Sequence, residues 1–165
     1  MSNQIMELNR TQMENMVAQA NSILQMYDEL TQMKTEFREL YGEIKKEFDD
    51  FKNTVPLTGP QADRLHAFCS RKGHQFTKQY FGQEVSQELY SKKYGHLIRG
   101  IFTAIKKKYE VNKYSQVRRI DGEQAIVFVE NLTLNDLPKN YKRLTDSQID
   151  TATRHGDYGI LERLA

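Results

Sequence analysis

The chain has no tryptophan, one cysteine and three prolines in 165 residues. It also lacks any apolar run of the roughly 20 residues needed to cross a bilayer as a helix. Each shortage removes a class of protein. A single thiol, Cys69, closes no intramolecular disulfide, so the stapled scaffolds of small secreted domains are excluded and a reducing compartment is expected. The first residues, MSNQIMELNR, have neither the basic start nor the apolar core of a signal peptide, which places the expected location in the cytoplasm. Catalytic signatures are missing as well. No Walker glycine loop, GxSxG elbow, HExxH helix or dinucleotide fingerprint occurs, and His66, Cys69 and His74 lack the paired spacing of zinc modules. The chain therefore reads as a non-enzyme without cofactor or metal, and the acidic pair Asp49 and Asp50 reads as a solvated helix face.

What the sequence does have is segregated charge. Residues 1 to 55 carry 6 basic and 10 acidic side chains, residues 56 to 119 carry 13 and 4, and residues 120 to 165 carry 5 and 8. Only the middle segment is built to meet a polyanion.

Apolar residues recur at spacings of three and four from Met6 to Val55, the pattern that keeps a seam facing a partner helix. The a positions are Met6, Met13, Ala20, Tyr27, Lys34, Tyr41, Phe48 and Val55, and the d positions are Asn9, Met16, Ile23, Leu30, Phe37, Ile44 and Phe51. Thirteen of these fifteen are apolar over seven heptads, whereas a straight helix of period 3.6 drifts out of such a repeat. No proline interrupts the stretch and Gly42 is its only glycine, so a helix of about 75 Å is expected, ending at Pro56. Met13, Met16, Ile23, Tyr27, Leu30, Phe37, Tyr41, Ile44, Phe48 and Phe51 are the expected oligomerisation residues. Met26, Met33 and Leu40 at g widen the seam, so oligomer number stays open between dimer, trimer and tetramer, as does docking of the C-terminal domain on the seam.

Beyond Pro56, LTGPQADRL reads as a helix start, with Thr58 as N-cap and Pro60 in the first turn. Leu65, Phe68, Cys69 and Phe76 form its apolar stripe. A second helix is expected from about Gln87 to Lys108, and a third after the Asp121-Gly122 turn, burying Ala125, Ile126, Phe128, Val129 and Leu132. Between them, YEVNKYSQVRRIDGEQ reads as a connection with room for a short β element. In the tail, Leu137-Pro138 reads as a loop, Thr145 with Asp146 as a helix cap, and HGDYG as a turn. The expected fold class is thus mainly α. A coiled-coil oligomerisation helix (1–55) precedes a small basic helical domain, α+β if that element forms (56–135), and a tail whose short helix packs on it (136–165).

Three segments in order, LTGPQADRL, HLIRGIFTAIKKKYEVNKYSQV and DGEQAIVFVENL, resemble the C-terminal domain recurrent in bacteriophage antirepressors, the family named after the C-terminal half of a phage sixth open reading frame. The resemblance spans residues 57 to 132 and rests on Leu57, Thr58, Gln61, Leu65, Ile98, Ile105, Tyr109, Val111, Tyr114, Val117, Ala125 and Ile126. It implies a regulatory module without catalytic residues, working inside a bacterial host cell. In the common family arrangement another phage domain comes first; here the coiled coil takes that place.

Two functions compete. In one, an oligomeric nucleic-acid-associated regulator or replication accessory protein neutralises DNA phosphates with Lys92, Lys93, Arg99, Lys106, Lys107, Lys108, Lys113, Arg118 and Arg119. Tyr109 and Tyr114 are its candidate stacking residues. In the other, the chain is an antirepressor-like module that inhibits or recruits a regulatory protein without touching nucleic acid. The expected partners are accordingly the chain itself and either DNA or a regulatory protein.

Overall fold

The computed structural model describes residues 1–164, which are helical throughout apart from their connections, with no strand among them. The chain divides into two units, Met1–Phe51 and Lys52 onward. No helix among the described residues is long and apolar enough to cross a membrane.

Helix α1 runs from Ser2 to Thr54 without a break and buries no residue. Its polar side is laced by contacts between side chains four apart, Arg10 with Glu14 at 3.1 Å, Gln25 with Glu29 at 3.0 Å and Gln32 with Glu36 at 2.8 Å. The chain turns off the helix just before Pro56, whose ring disfavours helical backbone at Val55. All ten expected oligomerisation residues lie open to solvent on α1, from Ile44 at 56% exposure to Phe37 at 69%. Apolar area of that extent is costly to leave in water.

The second unit is built on a hairpin of α2 (Gly59–Phe81) and α3 (Gln87–Tyr109). Gln61 Oε1 accepts from the Thr58 amide at 3.1 Å and closes the start of α2, with Pro60 in the first turn. Gly82, at φ +63°, ends α2 and donates to Lys78 O at 2.8 Å, a left-handed conformation that glycine adopts without strain. Ser70 meets Tyr94 (2.8 Å between hydroxyls), and His74 Nδ1 meets the Tyr90 hydroxyl at 2.9 Å, so α3 returns antiparallel along α2. Leu65, Cys69, Phe76, Leu89, Leu97, Ile101 and Ile105 fill the space between. Helix α4 (Gly122–Asn131) lies parallel to α2, with Arg64 paired to Glu123 at one end and Lys72 donating to Glu130 O at the other.

The expected short β element is reduced to one antiparallel bridge between Pro56 and Arg118. Leu57 N donates to Val117 O at 2.9 Å and Arg119 N to Val55 O at 2.8 Å. Pro56 has no N–H to offer, and neighbouring residues enter short 3₁₀ turns (Tyr114–Gln116 and Arg119–Asp121), so no ladder grows from it.

The tail completes the core. Leu137, Leu144, Ala152 and Ile160 are all buried. Helix α5 (Asp146–His155) runs antiparallel to α3, and α6 (Tyr158–Leu164) reaches the α2–α3 turn, where Arg163 donates to the carbonyls of Tyr80 and Phe81 that α2 leaves unpaired. Asp157 receives the Ser86 hydroxyl at 2.7 Å and so braces the N-cap of α3.

Gly100 sets how closely the segment before α5 can approach α3. A Cβ there would lie 3.0 Å from the Tyr141 ring, whereas a Cβ on Gly95, one and a half turns earlier on the same helix, would meet nothing. The two positions should therefore respond oppositely to one substitution. Gly95→Ala should stabilise by about 0.5–1 kcal/mol through helix propensity, and Gly100→Ala should destabilise by about 1–3 kcal/mol through overpacking. Urea denaturation of the two variants checks this; equal shifts would contradict the close approach.

Candidate nucleic-acid interface

Lys92, His96, Arg99 and Thr103 follow one another at spacings of four, three and four, which stacks them on one face of α3. The opposite face, with Leu97, Ile101 and Ile105, is buried. Between the polar stripe and the first turn of α5 lies a cavity of about 290 Å³, lined by Ser91, Lys92, Gly95, His96, Arg99, Thr145, Ser147 and Gln148. Among the described residues no carboxylate lines it.

The far wall is positioned from the core. Lys93 Nζ donates to Tyr141 O at 2.9 Å and Arg143 O at 2.8 Å and lies 3.9 Å from the centre of the Tyr80 ring. Burial lowers its pKa to about 8. Tyr141 packs on His96 with ring centres 4.9 Å apart, and its hydroxyl is 3.2 Å from Thr103 Oγ1. The held segment brings Arg143 near His96, whose pKa falls through burial and then through the charges of Lys93, Arg99 and Arg143. His96 Nδ1 is enclosed and has no hydrogen-bond partner among the described residues. Thr145 caps α5, accepting from Gln148 N at 3.3 Å, so the positive end of the α5 dipole adds to the field.

Lys93 is thus corrected as a phosphate contact. It is fully buried, and its ammonium is spent on two backbone carbonyls. Its place on the apolar face, four residues from both Leu89 and Leu97, carried that signal. Lys92 stays on the cavity rim but is committed in part, donating to Thr151 Oγ1 at 2.7 Å and lying 3.3 Å from Glu88.

The other expected contacts are dispersed. Lys107 and Lys108 border a separate groove of about 640 Å³ with Phe128, Leu132, Asp136 and Pro138. Lys106 is half-buried and Lys113 exposed. Arg118 pairs with Asp121 at 2.7 Å, and Arg119 is half-buried with its Nε enclosed. None of these last four lines either cavity. The tyrosines are used internally, Tyr114 stacked on Phe102 at 4.8 Å and Tyr109 edge-on to Phe128 at 6.4 Å. His96, Arg143 and the cap of α5 were not among the expected site residues. The three-and-four spacing of Lys92, His96 and Arg99 was the signal for the first of them. Arg143 comes from a part of the chain whose place on α3 depends on Gly100 and Lys93.

Glu88 closes the cation-rich face at the start of α3. His155 Nε2 and Arg154 both approach it at 2.7 Å, and Lys92 at 3.3 Å. Its pKa drops from 4.5 to about 2, chiefly through the hydrogen bond to His155 and further through Lys92 and Arg154. A carboxyl whose folded pKa is depressed stabilises the fold above its unfolded pKa, and the contribution is lost as pH falls through the folded value. Wild type should therefore lose stability between about pH 4.5 and 2 more steeply than Glu88→Gln, as read from urea midpoints across that range. Parallel curves would remove Glu88 from the tie between α3 and α5.

Comparison with known proteins places no relative beside these features: no family model, no curated protein and no solved structure matches the chain.

Proposed function

We propose that the protein is a phage-type, nucleic-acid-associated regulatory or replication accessory protein that acts as an oligomer in the cytoplasm of a bacterial host cell. The observation that carries this reading is the cavity on α3, where His96 and Arg99, with Arg143 close by and the N-terminus of α5, converge without a carboxylate among the described lining residues. Its size and field suit a backbone phosphate, which needs cationic and amide donors and carries no sequence information. Lys107 and Lys108 sit at the last turn of the same helix, on a separate groove that Asp136 also lines, and add cations at that end. The resemblance to the phage C-terminal domain supports a regulatory setting, and the open apolar stripe of α1 supports self-association. Binding of this kind is electrostatic and falls steeply with salt.

A second reading, recognition of a regulatory protein, is favoured by one feature. The groove beside Lys107 is walled by Phe128, Leu132 and Pro138, a mixture of apolar surface and peripheral charge found in protein-recognition clefts.

Replacing Arg99, Arg143, Lys107 and Lys108 together by Gln in the full chain should weaken binding to generic duplex DNA alike across sequences. It should also reduce the slope of log affinity against log salt by about 0.9 for each phosphate that the variant leaves un-neutralised. Titration of wild type and variant from low to physiological salt reads both. If wild type fails to bind duplex or single strands even at low salt, the nucleic-acid reading falls and the protein-partner reading takes its place.

A further inference from the structure

The two borders of the apolar stripe on α1 carry opposite charge. Viewed down the helix, positions g, d and a are adjacent, with e beside a and c beside g. From Asp28 to Lys52 the a/e border holds Lys34, Arg38, Lys45 and Lys52 and no acid. The c/g border over the same length holds Glu29, Glu36, Glu43, Glu47 and Asp50 and no base. None of these is buried, and the whole stripe is exposed.

We propose that α1 assembles with other copies of this chain as a parallel bundle of three or more helices. This rests on reading α1 as the self-association surface. The occupant follows from charge. In a parallel bundle the e side of each helix meets the g side of its neighbour, so every basic border faces an acidic one, and Glu47 at g stands opposite Lys52 at e of the next copy. An antiparallel pair sets e against e and g against g and lays residues 28 to 52 along residues 4 to 28 of the other copy, whose borders carry one charge, Arg10 at e, so no acidic border answers the basic one. Lys34, the polar residue of the a series, lies on the basic border, and its long stem lets the ammonium reach the acidic border alongside. The number of copies follows from width. A two-stranded seam covers a and d and leaves e and g at its edge, yet here Met26, Met33 and Leu40 occupy g and Val17 and Leu24 occupy e. Three or more strands bring those positions between helices.

Orientation is read with Ser2→Cys in the full chain. Cys69 stays out of the reaction, because it is buried and its thiol is pushed up to about 12. Parallel copies bring the new thiols together at one end, and mild oxidation should link them. Antiparallel copies hold them about 80 Å apart, the length of the 53-residue helix, and no link forms within the assembly. Reversing one border alone (Arg38→Glu with Lys45→Glu) should weaken association about tenfold or more, and reversing the other as well (Glu36→Lys with Glu43→Lys) should restore it, since opposite borders then face again. Sedimentation equilibrium of the wild type should give three or more copies. A dimer or monomer, an absent link at Ser2→Cys, or a doubly reversed chain no better than the singly reversed one overturns the proposal. All of these are read without nucleic acid, so their failure leaves the phosphate reading to its own test.

Discussion

A single ammonium inside the second unit determines where the cation-rich cavity can exist. Moving a charged lysine out of water costs several kcal/mol unless the protein replaces its hydration. Lys93 receives that replacement from the Tyr141 and Arg143 carbonyls and from the face of the Tyr80 ring. The lowered pKa registers what desolvation still costs. In return the backbone of residues 141 to 143 is held against α3. Tyr141 is thereby placed over Gly100 and His96, and Arg143 near the imidazole. Without that clamp the two carbonyls would be orphaned in an interior that leaves few polar groups unpaired. Lys93 therefore serves the candidate interface from behind, by position and by long-range charge.

The same economy governs the rest of the tail. Helices of seven and ten residues are marginal alone, so α5 and α6 depend on what they touch. Their contacts fall on the ends of α2 and α3. Arg163 answers the last carbonyls of α2, Asp157 braces the first turn of α3, and Glu88 gathers Arg154 and His155 from α5. Helix ends are where backbone groups lack intrahelical partners, which makes them the sites where a short segment gains most from charged or polar side chains. Residues 137 to 164 are in this sense part of the core of the domain.

Helix boundaries were legible because they are local. Thr58, Pro60 and Thr145 announce starts through residues within four positions, the Asp121-Gly122 turn immediately precedes α4, and the α3 span from Gln87 follows from a stripe repeated over six turns. The unbroken α1 helix and its end before Pro56 were legible for the same reason. The candidate site was legible only in part. Lys92 and Arg99 line the cavity, whereas Lys93 turned inward because the apolar face of α3 passes through its position, and charge alone does not reveal a buried carbonyl pair waiting there. The α5 cap reaches the cavity, and Arg143 comes near His96, across more than forty residues of chain, through a close approach that depends on one glycine. No local pattern encodes such a contact.

Charge segregation along the chain acquires a physical role once assembly and phosphate binding are considered together. One copy offers few cations free for phosphate, since Lys93 is internal and Lys92 and Arg118 are engaged by Glu88 and Asp121. Affinity from so few cations is weak at physiological salt. Copies joined through α1 turn later encounters into intramolecular ones, so weak faces can add to a firm hold with the same interactions per copy. That gain requires the joining surface to stay clear of the polyanion. In the proposed assembly the net negative charge of residues 1 to 55, with acid on the b and f positions away from the seam, repels phosphate from α1 and leaves its basic border to the neighbouring copy. On the proposed reading, residues 56 to 119, basic by nine charges, are left to meet the nucleic acid, and the two surfaces do not compete.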